Sequence, residues 1–162
     1  MVQLAVIVLA AGEGVRMRSE VPKVLHEIAG LPLIGHVLST ATAIAADHVV
    51  TVVRHEKERI SAYLAEHFPN TLIAEQGATA GTGAAVEAGL SVLPESFQGD
   101  VLVLSGDVPL LDVSSISELL ELHRSASNSG TLVSTILSNP NGYGRILPVS
   151  YTHLTLPTTP YV

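Results

Sequence analysis

The sequence predicts an α/β fold with a mostly parallel central sheet flanked by helices. Short runs of Val, Ile, Leu and Ala alternate along the chain with longer segments whose apolar residues recur at three- and four-residue steps. The first run, residues 4–10, is continuously apolar, which suits a strand buried on both faces rather than one with a wet side.

Residues 4–10 (LAVIVLA) make the first strand. The run is far short of the ~20 residues of a membrane span, no Lys or Arg precedes it, and Gly12-Glu13-Gly14 ends it, so neither a span nor a signal segment fits. Residues 33–46 follow at helical spacing, then the strand 48–53 (HVVTVV). Residues 56–67 make the second crossover helix, 71–74 the third strand, 83–92 the third helix and 101–104 (VLVL) the fourth strand. Helix 114–126 carries Ile116, Leu119, Leu120 and His123 on one stripe, and 131–137 (TLVSTIL) supplies a fifth strand. From 148 to 162 the chain (PVSYTHLTLPTTPYV) holds no Lys, Arg, Asp or Glu and breaks the alternation. It resembles the translated read-through of a sequencing adaptor and is expected to be foreign to the fold, leaving 1–147 as native-like sequence.

Composition narrows the function classes. With 162 residues, 47% apolar and 14% charged, the chain has room for one ordinary core and is no disordered segment. A formal net charge of -7 argues against nonspecific nucleic-acid binding, and 4% aromatics without Trp argues against base-stacking platforms. There is no Cys, which excludes disulfides and thiolate metal sites and is compatible with a cytoplasmic setting. The histidines show no metal-ligand spacing beside a carboxylate and are read as surface or helix-face residues, and no nucleophile-elbow pattern supports a Ser/His/Asp triad.

In parallel sheets ligands bind beyond the carboxyl ends of the strands, which directs attention to the loops after Ala10, Ala74 and Leu104. The first, Leu9-Ala10-Ala11-Gly12-Glu13-Gly14, is small and Gly-rich, so its backbone can approach a ligand and aim N–H groups at phosphate or base edges. Met17 stands where the dinucleotide fingerprint needs its third Gly, and no Gly-Lys-Ser/Thr occurs. Arg16 and Lys23 follow at a spacing of seven in a chain with only eight Lys plus Arg; they suit a polyphosphate, although a plain turn with solvated cations reads the same way. The second loop, Gln76 to Gly83, opens a helix with free amides and the Thr82 hydroxyl, a base or anion site or simply capping chemistry. The third, Ser105-Gly106-Asp107, puts a carboxylate at a strand tip, where a divalent cation bridging to phosphate compensates its desolvation. An alternative duty as helix cap falls better to Asp112 and Ser114. Gly142-Tyr143-Gly144-Arg145-Ile146 reads on spacing as a turn into a strand.

Taken together, LAAGEGVRMRSEVPKVLHEIAG, AEQGATAGTGAA, LVLSGDVPLL and NGYGRI resemble, over residues 2–147, the N-terminal uridyltransferase domain of the bacterial bifunctional N-acetylglucosamine-1-phosphate uridyltransferase/glucosamine-1-phosphate acetyltransferase family (GlmU). The resemblance implies a Rossmann-like, MobA-like NTP transferase fold, present in part, that joins UTP to N-acetylglucosamine 1-phosphate with release of pyrophosphate. It implies Arg16 and Lys23 as the catalytic cations, Asp107 as the Mg²⁺ ligand, and Leu9, Ala10, Ala11 and Gly12 with Gln76, Gly81 and Thr82 around uracil. Ser105 and Gly106 fall near the nucleotide and Gly144 at the acetylated sugar. It further implies a cytoplasmic enzyme of peptidoglycan and lipopolysaccharide precursor synthesis, without nucleic-acid or membrane partners, whose full-length members are homotrimers through a C-terminal domain.

This chain departs from the family pattern in places. Val15 replaces a Thr, and the segment between Gln76 and Gly81 is longer than the usual AEQ-x-GTG, so Ile73 competes with Gln76 for the uracil-reading position. The family's second metal ligand, its sugar-binding Glu and Asn, and its acetyltransferase domain fall beyond the residues present, so a weakly active or inactive fragment is expected. Two other readings stay open: another MobA-like nucleotidyltransferase, transferring guanylyl or acting on a hexose 1-phosphate, and a noncatalytic nucleotide-binding domain of the same fold.

Overall fold

The apolar amino-terminal run becomes β1 (Gln3–Leu9), an interior strand, in a computed structural model that describes residues 2–14, 17–141, 144, 146–148 and 154–155. The chain forms two units, one up to Glu118 and one from Leu119 onward.

In the first unit, β1 is followed by a small excursion. A 3-10 turn (Lys23–Leu25) leads into an antiparallel hairpin of β2 (Glu27–Ile28) and β3 (Leu31–Pro32). Its two-residue loop is Ala29-Gly30, at φ 52° and 79°, the left-handed pair that matches the twist of a tight hairpin. Helix α1 (Leu33–Ala43) then buries Ile34, Val37, Leu38 and Ala41 and delivers β4 (His48–Val53) beside β1. The helix stops short of the expected residue 46 because Ala45 turns left-handed at φ 54°. Asp47 fixes the exit: its N–H donates to the Leu4 carbonyl (2.9 Å) and its Oδ2 accepts the Leu4 N–H (2.8 Å).

Helix α2 (Lys57–His67) connects β4 to β5 (Leu72–Glu75), which pairs outside β4. Helix α3 (Thr82–Leu90) then carries the chain to β6 (Gly99–Ser105), on the other side of β1. The result is a fully parallel four-stranded sheet in the order β5-β4-β1-β6. Successive strands step to one side from β1 and then jump to its other side, so the carboxyl ends of β1 and β6 flank a topological switch point, where sheets of this kind bind ligands.

Ile7, Val50 and Val52 meet Ala74 and Ala85 in a buried cluster under α3, and the alternate residues Val6, Val8, Thr51 and Val53 are buried as well, so the interior strands are covered on both faces. Gly89 lets α3 sit close. A Cβ there would stand 2.7 Å from Ile7 Cγ2 and 3.1 Å from Val52 Cγ2.

The unit boundary falls within α4 (Val113–Ser125). In the second unit β7 (Leu147–Pro148) pairs antiparallel with β8 (Leu154–Thr155). The fifth strand expected at 131–137 is absent: those residues enter no strand pairing among the described residues, and Val133 and Ile136 are 69% and 101% exposed. β-Branched composition marked the segment, but propensity supplies no neighbour for its backbone groups. Most of the segment expected to be foreign, 149–153 and 156–162, lies outside the described residues.

Candidate functional site

Beyond β1, the Ala10 N–H still serves the sheet, donating to the Val52 carbonyl at 2.9 Å. The chain then leaves the sheet, and among the described residues the amides of Ala11 and Gly12 have no acceptor. Gly14 turns at φ 64°, and a Cβ there would lie 2.7 Å from Lys23 Cβ. Only glycine therefore lets this loop pass so close to the Lys23 stem. The Lys23 ammonium pairs with the Asp107 carboxylate, the two side chains being 37% and 30% exposed.

Strand β6 delivers Asp107 through Gly106. The Gly106 N–H donates to the Leu9 carbonyl at 2.9 Å, and a Cβ would stand 2.9 Å from that oxygen and 3.4 Å from Val24 Cγ1. Gly106 is thus buried between the tips of β1 and β6 and lies beneath the cleft rather than in its lining. The competing capping duty belongs elsewhere: Asp112 Oδ1 accepts from the Ser115 N–H (2.8 Å) and the Ser114 hydroxyl (2.7 Å) at the start of α4. The Ser115 N–H, with the Ser114 hydroxyl, holds the Asp112 carboxyl below its ordinary 3.8. Asp107 is free of that task.

Between β5 and α3, Gln76 is buried, with its own N–H on the Val53 carbonyl (2.9 Å). Its Nε2 donates to the Thr79 carbonyl (2.9 Å) and the Gly81 carbonyl (3.1 Å). Both partners are acceptors, so the amide orientation is chemically forced and Oε1 is left without a donor among the described residues. Gly81 sits at φ 115°, ψ 158°, a region essentially confined to glycine, and caps α3 with no side-chain bond. The first amides of α3, on Thr82, Gly83 and Ala84, have no acceptor among the described residues.

These loops enclose a cleft of about 820 Å³. Of the residues singled out in the sequence, Leu9, Ala10, Ala11, Gly12, Lys23, Gln76, Gly81, Thr82, Ser105 and Asp107 line it, and Ile73 does not. Gly144 is exposed and belongs to the second unit. Val15, Arg16, Gly142, Tyr143 and Arg145 lie outside the described residues. Arg54, not singled out in the sequence, and His55, read there as a surface or helix-face residue, also line the cleft. His55 Nε2 lies 2.9 Å from Glu13 Oε1, and Arg54 Nη2 donates to the Ala78 carbonyl at 3.3 Å. The signal that finds them is positional, since they follow β4 and the carboxyl end of every parallel strand faces the ligand side.

The model of the MobA-like NTP transferase domain matches residues 6–153. The chain belongs to the MobA-like NTP transferase family. Curated relatives of this NTP transferase chain include the bifunctional protein GlmU of Clavibacter sepedonicus, 52% identical over 144 residues, covering 89% of this chain and 29% of that protein. The bifunctional protein GlmU of Leifsonia xyli subsp. xyli is 47% identical over 147 residues, covering 91% and 30%. The chain therefore spans about 30% of the length of the curated relatives it matches. Among solved structures, Rv0371c from Mycobacterium tuberculosis H37Rv superposes with a TM-score of 0.65 at 18% identity, over 76% of this chain and 61% of that one. Its complex with manganese gives 0.62 at 18% identity, over 76% and 60%. At such identities the likeness is one of fold. No helix among the described residues is long and apolar enough to cross a membrane.

Proposed function

We propose that the cleft holds UTP for uridylyl transfer to N-acetylglucosamine 1-phosphate, giving UDP-N-acetylglucosamine and pyrophosphate. The observation that carries this reading is the Lys23–Asp107 pair at the switch point between β1 and β6, flanked by two loops with unpaired amides. The likeness to proteins named GlmU directs it toward a sugar phosphate acceptor.

A phosphate oxygen of the sugar attacks the α-phosphorus of UTP in line. The new P–O bond forms as the bond to the β-phosphate oxygen breaks, and pyrophosphate departs with that electron pair. Such transfer depends on positioning and charge neutralisation. Lys23 exchanges its carboxylate partner for phosphate oxygens and, with Arg16, neutralises the charge that gathers on pyrophosphate. The backbone of Leu9, Ala10, Ala11 and Gly12, with Gln76, Gly81 and Thr82, surrounds uracil, while Ser105 supports the nucleotide and Gly144 meets the acetylated sugar. Gly106 supports from beneath by joining β6 to β1.

Asp107 fits Mg²⁺. Among the described residues no group of three or more His, Asp or Glu could hold a metal, and Asp107 is a partly exposed carboxylate on the cleft wall. Mg²⁺ accepts such a set, taking one or two carboxylates and completing its shell with phosphates and water. When bound, it supplies further neutralisation of phosphate charge.

At the base end, Gln76 Oε1 offers an acceptor beside the donor amides of the α3 start. Uracil presents the complement, an N3–H donor beside a carbonyl acceptor. Cytosine presents an acceptor at N3 and an amine beside it, leaving Gln76 Oε1 and the α3 amides facing like groups, a mismatch that disfavours it. Guanine also matches through N1–H and O6, so guanylyl transfer is the second reading this geometry favours. The reading takes the longer protein as a cytoplasmic, homotrimeric enzyme of cell-envelope precursor synthesis, without nucleic-acid or membrane partners.

The test is pyrophosphate release by the longer protein carrying this segment, with each of four nucleoside triphosphates and several sugar 1-phosphates. UTP with N-acetylglucosamine 1-phosphate is expected to give the highest kcat/KM. A preference for GTP, or for another sugar phosphate, contradicts the assignment. The same assay on the 162-residue chain tests the weak activity that the resemblance implies.

A further inference from the structure

We propose that Arg54 is a positioning residue for nucleotide recognition, acting through the 77–81 loop rather than on the nucleotide. The proposal rests on the reading of the cleft as a uridine nucleotide site.

Arg54 stands one residue beyond β4 and donates from Nη2 to the Ala78 carbonyl at 3.3 Å, while Gln76, one residue beyond β5, donates to the Thr79 and Gly81 carbonyls. Three of the carbonyls from 78 to 81 are therefore turned onto side chains anchored at the tips of two adjacent strands. A trans peptide holds its C=O and N–H in opposite directions. Capturing the carbonyls of Ala78, Thr79 and Gly81 thus sends the N–H groups of Thr79, Ala80 and Thr82 the other way. None of these amides has an acceptor among the described residues, and Ala80 and Thr82 line the cleft. Gln76 fixes the middle and the end of the loop and Arg54 its start; among the described residues the Ala78 carbonyl has no other side-chain partner.

The next residue has a parallel role. His55 meets Glu13 on the loop after β1, so the two-residue exit of β4 ties down the loop on either side of it. Arg suits its own task better than Lys, because its planar guanidinium offers donors in a fixed fork and loses less freedom per bond.

Three observations on the 162-residue chain test this, comparing wild type with Arg54→Ala and Arg54→Lys. If Arg54 acts through the base-side loop, Arg54→Ala weakens UMP and UTP binding by the same factor, about 3- to 10-fold, as befits one charge-assisted, solvent-accessible hydrogen bond. In the ligand-free protein, NMR order parameters for 78–81 fall from the rigid range near 0.85 toward the flexible range below about 0.6. Arg54→Lys recovers part of both. A loss confined to UTP would show Arg54 gripping phosphate directly, and unchanged affinity for both nucleotides would show it idle; either overturns the proposal. Should wild type bind no uridine nucleotide, the UTP reading fails, and the order parameters alone decide the clamp, unchanged values in Arg54→Ala overturning it.

Discussion

Lys23→Ala is expected to lower kcat for pyrophosphate release in the longer protein by about 10²- to 10³-fold, the usual cost of deleting a preorganised group that meets charge developing in the transition state. Lys23 is the cation that the described structure seats against the Asp107 carboxylate, on a stem held over Gly14. In the ground state its charge is matched by Asp107. Its larger contribution comes as pyrophosphate leaves and negative charge grows, which is why the effect falls on kcat more than on the KM for UTP. Steady-state kinetics under saturating UTP measure it. A variant with normal kcat and a raised KM would make Lys23 a binding residue only, and would favour the noncatalytic reading of the fold.

The second large effect is expected at Gly81. Its φ of 115° with ψ 158° excludes L side chains without strain, a cost of about 1–3 kcal/mol. Nothing lies within 4 Å of the added Cβ, so Gly81→Ala meets no steric clash. The variant is expected to keep its fold but to rotate the 80–82 peptides, pulling the Gly81 carbonyl from Gln76 and from the Ala85 N–H. UTP affinity of the chain should fall about 10- to 100-fold, that strain converted at about 1.4 kcal/mol per decade. Gly130→Ala is the internal control, because Gly130 is outside the cleft lining, free of positive φ and also has open space at Cβ. It should bind UTP as wild type does. Equal affinities for wild type and Gly81→Ala would show that the backbone conformation at 81 does not shape the base site.

The four-stranded sheet was legible because burial on both faces leaves a coarse mark: continuous Val, Ile and Leu runs, separated by segments with helical spacing. The segment 131–137 carries the same mark and forms no strand, since composition reports compatibility with a sheet and not the presence of a partner. The hairpin at 27–32 left only Gly30 as a signal, too short for any periodicity. In the site, small residues and glycines announced the loops after β1 and β5, which line the cleft. Arg54 and His55 lacked such a cue, for two polar residues at a strand end look like a solvated turn until β5 and the loop after β1 come to either side. Which of Gln76 and Ile73 lines the cleft is likewise visible only in the structure. Gln76 lines the cleft with its nitrogen committed to loop carbonyls, whereas Ile73 lies on edge strand β5, outside the lining.

One titration tests the uridine-nucleotide assignment most directly: Mg²⁺-UTP, CTP, GTP and ATP against the 162-residue chain, followed by calorimetry. Saturable one-site binding strongest for UTP is expected, weakened by Gly81→Ala and by Lys23→Ala. No binding by any triphosphate, or binding strongest for GTP or ATP, would contradict that assignment.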